Sequence, residues 1–340
     1  MTEALPTLWF VLIAVLWAGY LFLEGFDLGV GMHLLLLARN DTQRRVLLGT
    51  VGPVWDGNEV WLITAVGATF AAFPYWYASL LSALYLPFLL VLLGLIFRAV
   101  AFEWRGKRDS DTWRNRWDWA IAVGSFTAAA GIGAALALTT TGLPLDANGD
   151  RVGGAFAWAN TSALLGAAAV VLFCLVHAAA FVVLKTEGGV RSQADRFFRR
   201  VLPLAMVPFV GWALLIQVRS GSPLTWTILA LGVAGIAVAY RASSADRDGW
   251  AFLGLGAAML ALVGSIFGAV FPVVLPSTLG SAFDLTVQNA SSSPYTLGLM
   301  SVVACFGLPL VIAYQAWTYW VFRRRISEAS IPAAHAVVPL

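Results

Sequence analysis

The sequence predicts an all-α integral membrane protein of nine transmembrane helices, with its N-terminus outside the cell and its C-terminus in the cytoplasm. Three observations carry that expectation. The 340 residues are 60% hydrophobic and only 11% charged, whereas an average soluble domain carries roughly 25% charged residues. Nine mostly apolar runs approach or exceed the roughly 20 residues that a bilayer-crossing helix needs. The basic residues, placed against those runs, fall almost entirely on one side. Charge this sparse cannot cover a water-soluble globule of this size, which excludes a cytosolic enzyme. The apolar and aromatic content excludes disorder.

The runs lie near 7–38, 50–74, 77–103, 118–142, 156–184, 200–218, 224–240, 250–273 and 296–322. Met1-Thr2-Glu3 supplies no basic stretch ahead of the first run, which therefore reads as an uncleaved membrane helix. Arg39, Arg44 and Arg45 follow the first run. Arg105, Lys107, Arg108, Arg114 and Arg116 follow the third, and Lys185, Arg191, Arg196, Arg199 and Arg200 follow the fifth. Arg241 and Arg247 follow the seventh, and Arg323, Arg324 and Arg325 the ninth. That is 18 of the 21 Lys and Arg, and the positive-inside rule places their side in the cytoplasm. The net charge of +3 thus calls for no nucleic-acid partner. Its surroundings are the lipid bilayer.

The domain reading is one polytopic transmembrane domain over 1–325 and a loose cytoplasmic tail over 326–340. Two four-helix bundles with one peripheral helix would account for nine spans. The outer loops are polar and poor in charge, and none is long enough for an independent domain. Cys174 and Cys305 lie in apolar runs and read as core residues; two thiols build neither a disulfide framework nor a four-thiolate metal site. Trp9, Trp76, Trp104, Trp113, Trp226 and Trp320 lie near span ends and read as interfacial belts. No nucleotide loop, zinc pattern or nucleophile elbow occurs.

Ionisable residues at membrane depth are costly and mark function by default. Four acids fall inside the first two runs: Glu24 and Asp27, then Asp56 and Glu59. Each pair is spaced i,i+3 and so shares a helical face. At 1.5 Å per residue, Asp56 lies about 9 Å and Glu59 about 14 Å from the inner end of run two, and Asp27 about 16 Å and Glu24 about 21 Å from that of run one. Such a ladder is what proton uptake from the inside requires. The plainer reading is that these acids bond neighbouring helix ends, Asn58 or the Trp indoles, with nearby glycines serving close packing. Arg98 either snorkels to the inner surface or neutralises an acid. Trp55 and Trp61 flank the acids and pack against a partner or a flat ligand. Asp118 and Glu103 sit at span edges and read as interfacial. His177 has no second His on a neighbouring face and reads as a packed or hydrogen-bonded imidazole rather than a haem or metal ligand. His33 reads as structural or as a member of the ladder. His335 reads as solvated.

Several stretches are characteristic. They are Glu24-Gly25-Phe26-Asp27-Leu28-Gly29-Val30-Gly31-Met32, Gly52-Pro53-Val54-Trp55-Asp56-Gly57-Asn58-Glu59-Val60-Trp61, Phe97-Arg98, Phe271-Pro272-Val273-Val274-Leu275-Pro276-Ser277 and Trp317-Thr318-Tyr319-Trp320. Together they resemble subunit II of the cytochrome bd quinol oxidases, the bacterial bd-type terminal oxidases. The resemblance covers most of the chain. It implies a multi-pass subunit of the bacterial cell membrane, partnered by a homologous subunit I that holds haem b558, haem b595 and haem d. The complex oxidises quinol (ubiquinol or menaquinol) near the outer face and reduces O2 to water, with protons drawn from inside, so a proton motive force arises without pumping. Subunit II supports assembly and supplies the proton route. The family assigns the Asp of the WDGN segment to that route, which carries over to Asp56; Glu59, Asp27 and Glu24 are further stations, and Trp55, Asn58, Trp61 and Arg98 support them. No residue is catalytic in the strict sense, and no metal ligand is expected in this chain. Some relatives hold a structural quinone in this subunit, and a small single-span accessory subunit often accompanies the pair. Position 59 is Glu here where some relatives have Gln, which adds an acid to the ladder or a partner for Arg98. A proton-coupled membrane transporter and a purely structural oxidase subunit are the alternatives.

Overall fold

In hydrocarbon the backbone must satisfy its own hydrogen bonds, so long apolar runs fold as helices. The computed structural model describes residues 4–331. Among these, twelve α-helices form: α1 (Ala4–Leu36), α2 (Asp41–Val51), α3 (Trp55–Ala72), α4 (Pro74–Ala83), α5 (Tyr85–Trp104), α6 (Asp111–Thr141), α7 (Thr161–Lys185), α8 (Gly188–Ala205), α9 (Val207–Ser220), α10 (Pro223–Ser244), α11 (Asp248–Val270) and α12 (Pro294–Val321). Polar caps fix several starts: the side chains of Asn40 and Asn160 accept from the backbone N–H of Gln43 at 2.9 Å and of Ala163 at 3.0 Å, the usual N-cap arrangement.

Eight segments are long and apolar enough to cross a membrane: α1, α5, α6, α7, α8 together with α9, α10, α11 and α12. The expected second span is the one that differs. The run 50–74 is not one helix: α2 ends at Val51, Gly52 and Pro53 interrupt, and α3 restarts at Trp55. α3 has 18 residues and an opening turn that holds Asp56, Asn58 and Glu59, so it is shorter than the eight and lacks a continuous apolar stretch of spanning length. Two further runs are broken. The run 77–103 divides at Leu84 into α4 and α5, and 200–218 divides at Met206 between α8 and α9. Proline stands at each break: Pro53, Pro87 in the first turn of α5, and Pro208 in the first turn of α9. Its ring removes a donor and clashes with the preceding turn, while leaving hydropathy nearly unchanged.

α1 runs through the middle, with buried side chains from Trp9 to Leu34, and packs against α3, α6, α7 and α11. Helices bound in lipid gain little from apolar burial against one another and depend on close backbone approach at small residues. That device recurs here. A side chain at Gly29 would strike the carbonyl of Cys174 and the methyl of Ala178 on α7; Gly133 on α6 faces Gly166 on α7, and Gly94 on α5 faces Gly124 on α6. α12 is peripheral in its packing: Leu297 is its buried residue, and Trp9 reaches across to donate to the Leu297 carbonyl at 3.1 Å.

The basic connections gather at one end. Arg105 bonds Asp118 and Asp41, Arg199 bonds Asp246, and Arg191 and Arg325 share Asp248. At the other end, Leu143 N–H donates to Pro276 and Thr278 N–H to Leu143. There the longest loop forms a small antiparallel sheet, β1 (Val273–Leu275) with β2 (Leu285–Thr286). The tail departs from expectation at its start. Ile326 exchanges backbone hydrogen bonds with Lys185 and Glu187, and Gln43 donates to Glu328, so 326–331 is tied to α2 and α7. His335 lies outside the described residues.

Some readings of burial need correction. Asp118 is fully buried between Arg105 and Arg44 at the basic end; Glu103 is exposed. Trp9 and Trp76 are core residues, at 5% and 1% exposure, and Cys305 is exposed on α12 while Cys174 is buried. An apolar stretch reads alike whether it faces core or lipid.

The glycine contacts make a contrast that can be measured. Gly29→Val should destabilise the protein by about 1–3 kcal/mol, the usual cost of overpacking. Gly249→Ala, which meets no neighbour within 4 Å, should stay within about 0.5 kcal/mol. Thermal unfolding of the two variants in the same detergent checks both.

Candidate functional site

Four α-helices converge on one largely buried polar cluster. α1 contributes Tyr20, Glu24 and Asp27; α3 contributes Asn58, Glu59 and Trp61; α5 contributes Arg98; α12 contributes Gln315 and Tyr319. The i,i+3 spacing of Glu24 and Asp27 turns both toward α3 and α5, and both are fully buried. Arg98 is equally buried and settles the choice left open by sequence: it neutralises acids rather than snorkelling. One terminal guanidinium nitrogen lies 2.8 Å from Glu24 Oε1 and 3.4 Å from Glu59 Oε2. Glu59 is therefore a partner of Arg98. The aromatic Phe102 ring lies 5.2 Å from the guanidinium carbon and Trp55 lies 6.0 Å away, and Trp55 stacks on Phe102 with ring centroids 5.0 Å apart.

Asn58 is the second hub. Its amide donates to Asp27 Oδ2 at 2.5 Å. Its carbonyl oxygen accepts from Gln315 at 2.7 Å and from the Tyr319 hydroxyl at 2.8 Å. Trp61 Nε1 donates to Gln315 Oε1 at 2.8 Å. A chain of hydrogen bonds thus runs from Asp27 through Asn58 and Gln315 to Trp61. Gln315 and Tyr319 were not singled out from sequence. The available signal was a lone amide in an apolar run, one turn before a tyrosine and so on the same helical face.

Asp56 is placed differently from the other three acids. It lies in the first turn of α3, one turn before Glu59, and its side chain is exposed. The exposed Val60 and Ile63 continue that outward face, at 48% and 70% exposure. Since α3 starts at Trp55 rather than near Thr50, Asp56 is at a helix end and not a turn and a half inside. The structure therefore brings Glu24, Asp27 and Glu59 together around Arg98 and Asn58 and leaves Asp56 on the outer surface beside them.

The histidines lie elsewhere. His177 Nε2 donates to the Phe22 carbonyl at 2.9 Å, and its ring is sandwiched between Phe173 and Phe252, each centroid 4.9 Å away. His33 Nε2 donates to the Leu175 carbonyl at 2.8 Å and its ring packs on Phe197, so it does not join the acids. No group of three or more His, Cys, Asp or Glu side chains placed to hold a metal ion occurs among the described residues. A cavity of about 880 Å³ opens between α1, α11 and α12. Phe10, Ala14, Ala18 and Phe267 make its wall apolar, and Trp61, Gln315 and Tyr319 bring the hydrogen-bond chain to its edge.

The sequence profile of the family described as cytochrome bd terminal oxidase subunit II matches residues 5–322. The chain is 41% identical to cytochrome bd ubiquinol oxidase subunit 2 of Bacillus subtilis (strain 168), covering 96% of this chain and 98% of that one. It is 32% identical to cytochrome bd-I ubiquinol oxidase subunit 2 of Escherichia coli (strain K12), covering 97% of each. Its fold resembles a chain in the structure of bd oxidase from Geobacillus thermodenitrificans, with a TM-score of 0.75 at 19% identity over 94% of this chain and 98% of that one. The chain belongs to the cytochrome bd terminal oxidase subunit II family. It is a multi-pass membrane subunit of a bacterial oxidoreductase, and the transporter alternative is set aside.

Removing one partner of a buried ion pair leaves a bare charge, at a cost of about 3–5 kcal/mol. Arg98→Met should show a loss of that order in the thermal stability of the assembled protein. Arg98→Met/Glu24→Gln should recover a substantial part of it. A double variant no more stable than the single one would show that the Glu24–Arg98 pair is not the source.

Proposed function

We propose that this chain is the haem-poor partner of a bd-type quinol oxidase, that it supports assembly with subunit I, and that it conducts protons from the cytoplasm toward the site of O2 reduction. The observation that carries the proposal is the acid excess around Arg98: Glu24 and Glu59 share one guanidinium nitrogen, and Asp27, held by the Asn58 amide, adds a third buried carboxyl group with no cation paired to it among the described residues. Charged carboxylates at membrane depth are expensive, so acids in excess of their counter-charge are the groups able to hold a proton in transit. Asp56, at the exposed start of α3, is the group that takes up protons. Glu59 is one turn further in, and Asn58 holds Asp27 in place. Trp55, Trp61 and Arg98 support this arrangement by packing and by charge. The outward placement of Asp56 suits a route that continues into the partner subunit.

The same proposal includes nine spans, with α3 as the ninth, the N-terminus outside and the basic end in the cytoplasm. The grouping of the basic connections at one end supports it, and so does the contact of Ser292 with Ala71 and Ala72 at the other. Haem b558, haem b595 and haem d are assigned to subunit I. His33 and His177 support this, since both rings are packed and hydrogen-bonded to backbone carbonyls. The substrate pair is quinol, ubiquinol or menaquinol, and O2, as the names of the relatives imply for the first. A structural quinone fits the chemistry of the cavity beside α12: Phe10, Ala14 and Phe267 would hold an isoprenoid tail, and Trp61, Gln315 and Tyr319 would face its polar head. When bound there it adds packing and no redox step. A single-span accessory subunit would complete the complex.

A purely structural role for the acids is the second reading, and the Arg98 ion pairs that tie α1, α3 and α5 together favour it. Turnover separates the two. In the assembled complex Asp56→Asn should slow quinol-driven O2 uptake by about tenfold or more, the scale of a lost proton-transfer group, with haem content and thermal stability unchanged. Full turnover would overturn proton conduction through Asp56. A reduced-minus-oxidised visible spectrum tests the division of cofactors: haem bands should appear in the complex and be absent from this chain expressed alone.

A further inference from the structure

A second polar site lies at the basic end, away from the acid cluster. Arg39, just beyond α1, and Arg196 and Arg200, one turn apart on α8, converge on a cavity of about 310 Å³. None of the three guanidinium groups has an ion-pair partner among the described residues. Their neighbour Arg199 is different, being paired with Asp195 and Asp246. Leu37, Phe197 and Val201 add apolar side chains to its lining. Leu36 stands at its rim with 58% of its surface exposed.

The surface that continues from this cavity is also particular. One turn after Arg200, Pro203 begins a groove of about 510 Å³ between the α8–α9 junction and α10, lined by Met206, Val207, Leu214, Val233 and Ile236. Leu204 and Val207 beside it are 74% and 60% exposed. A cluster of unpaired positive groups is thus followed, further along α8, by an open apolar trough. A soluble anion would use the arginines and leave the trough without purpose. A neutral lipid would use the trough and leave the arginines unpaired. Basic pockets at the cytoplasmic edge of membrane proteins suit anionic headgroups, and guanidinium groups suit phosphate oxygens through paired donors.

We propose that Arg39, Arg196 and Arg200 bind the headgroup phosphate of an anionic phospholipid whose acyl chains lie in the α8–α10 groove. The site is independent of the proton route, and draws on the proposed topology only to place the basic end at the cytoplasmic surface. It makes the oxidase a reader of the charge of its own bilayer through this subunit.

Native mass spectrometry of the intact complex, titrated in detergent with phosphatidylglycerol or phosphatidylcholine, tests it. The unaltered complex should retain phosphatidylglycerol in preference to phosphatidylcholine. Arg39→Gln/Arg196→Gln/Arg200→Gln should weaken phosphatidylglycerol retention about tenfold or more, as the loss of three phosphate-facing charges requires. The charge-matched control Arg108→Gln/Arg116→Gln/Arg324→Gln, at exposed positions that line neither cavity, should leave it unchanged. Equal loss in both triple variants, or loss in neither, would overturn the proposal. Displacement of phosphatidylglycerol by millimolar inorganic phosphate would also overturn it, by making the site one for a free anion. Should the triple variant fail to assemble, the lack of a headgroup preference in the unaltered complex would be sufficient to reject it.

Discussion

A guanidinium group buried in the middle of a membrane protein must be neutralised, and Arg98 meets that demand with carboxylates from two other helices. Its pairs with Glu24 and Glu59 set the mutual depth of α1, α3 and α5, because a shift of one turn, about 5.4 Å, would leave all three charges bare. The need is self-consistent: each acid would be costly alone, and the cation would be costly alone. The same demand explains why Asn58 sits where it does. With one face turned to Asp27 and the other to Gln315 and Tyr319, it connects the central helix to α12, whose apolar contacts with the rest are few.

The close-packed glycines and the charge cluster are linked. Gly29, two residues after Asp27, lets α7 approach the central helix almost to backbone contact. Gly94, one turn before Arg98, does the same for α5 and α6. Close approach excludes lipid and water from the neighbourhood of the acids, so their partners must come from the protein. Strong pairing and tight packing therefore sustain each other, and a substitution in one should be felt in the other.

How much of this was legible in the sequence follows from what helical periodicity encodes. The i,i+3 pairing of Glu24 with Asp27 fixed their common face, and the resemblance carried by the WDGN stretch was confirmed at the level of the family. Periodicity within one helix says nothing about which helix stands opposite, so the roles of Arg98 and Glu59 stayed open until three helices were seen together. Hydropathy has a similar blind spot. Pro53, Pro87 and Pro208 interrupt helices without interrupting apolar runs, so two breaks within runs were missed and α3 was joined to α2. Cys305 and Trp9 were misplaced because core-facing and lipid-facing positions have the same chemistry. Gln315 was the quiet signal: one amide in a long apolar helix has to find a partner.

The position of Asp56 bears on how such a subunit can divide its work. An acid on the outer face of α3 costs little where it meets water or another polar subunit, and much where it meets lipid. The flanking Val60 and Ile63 are exposed and apolar and suit lipid or protein alike, so it is the carboxyl of Asp56 that favours a cover with polar groups of its own. Covered in that way, Asp56 becomes a group shared between two subunits, one turn from the buried cluster on its own side. Under the proposed function the proton then needs no continuous channel through this chain. It needs a place of uptake at the seam, and a buried cluster whose charge balance keeps neighbouring helices in register while the seam is in use.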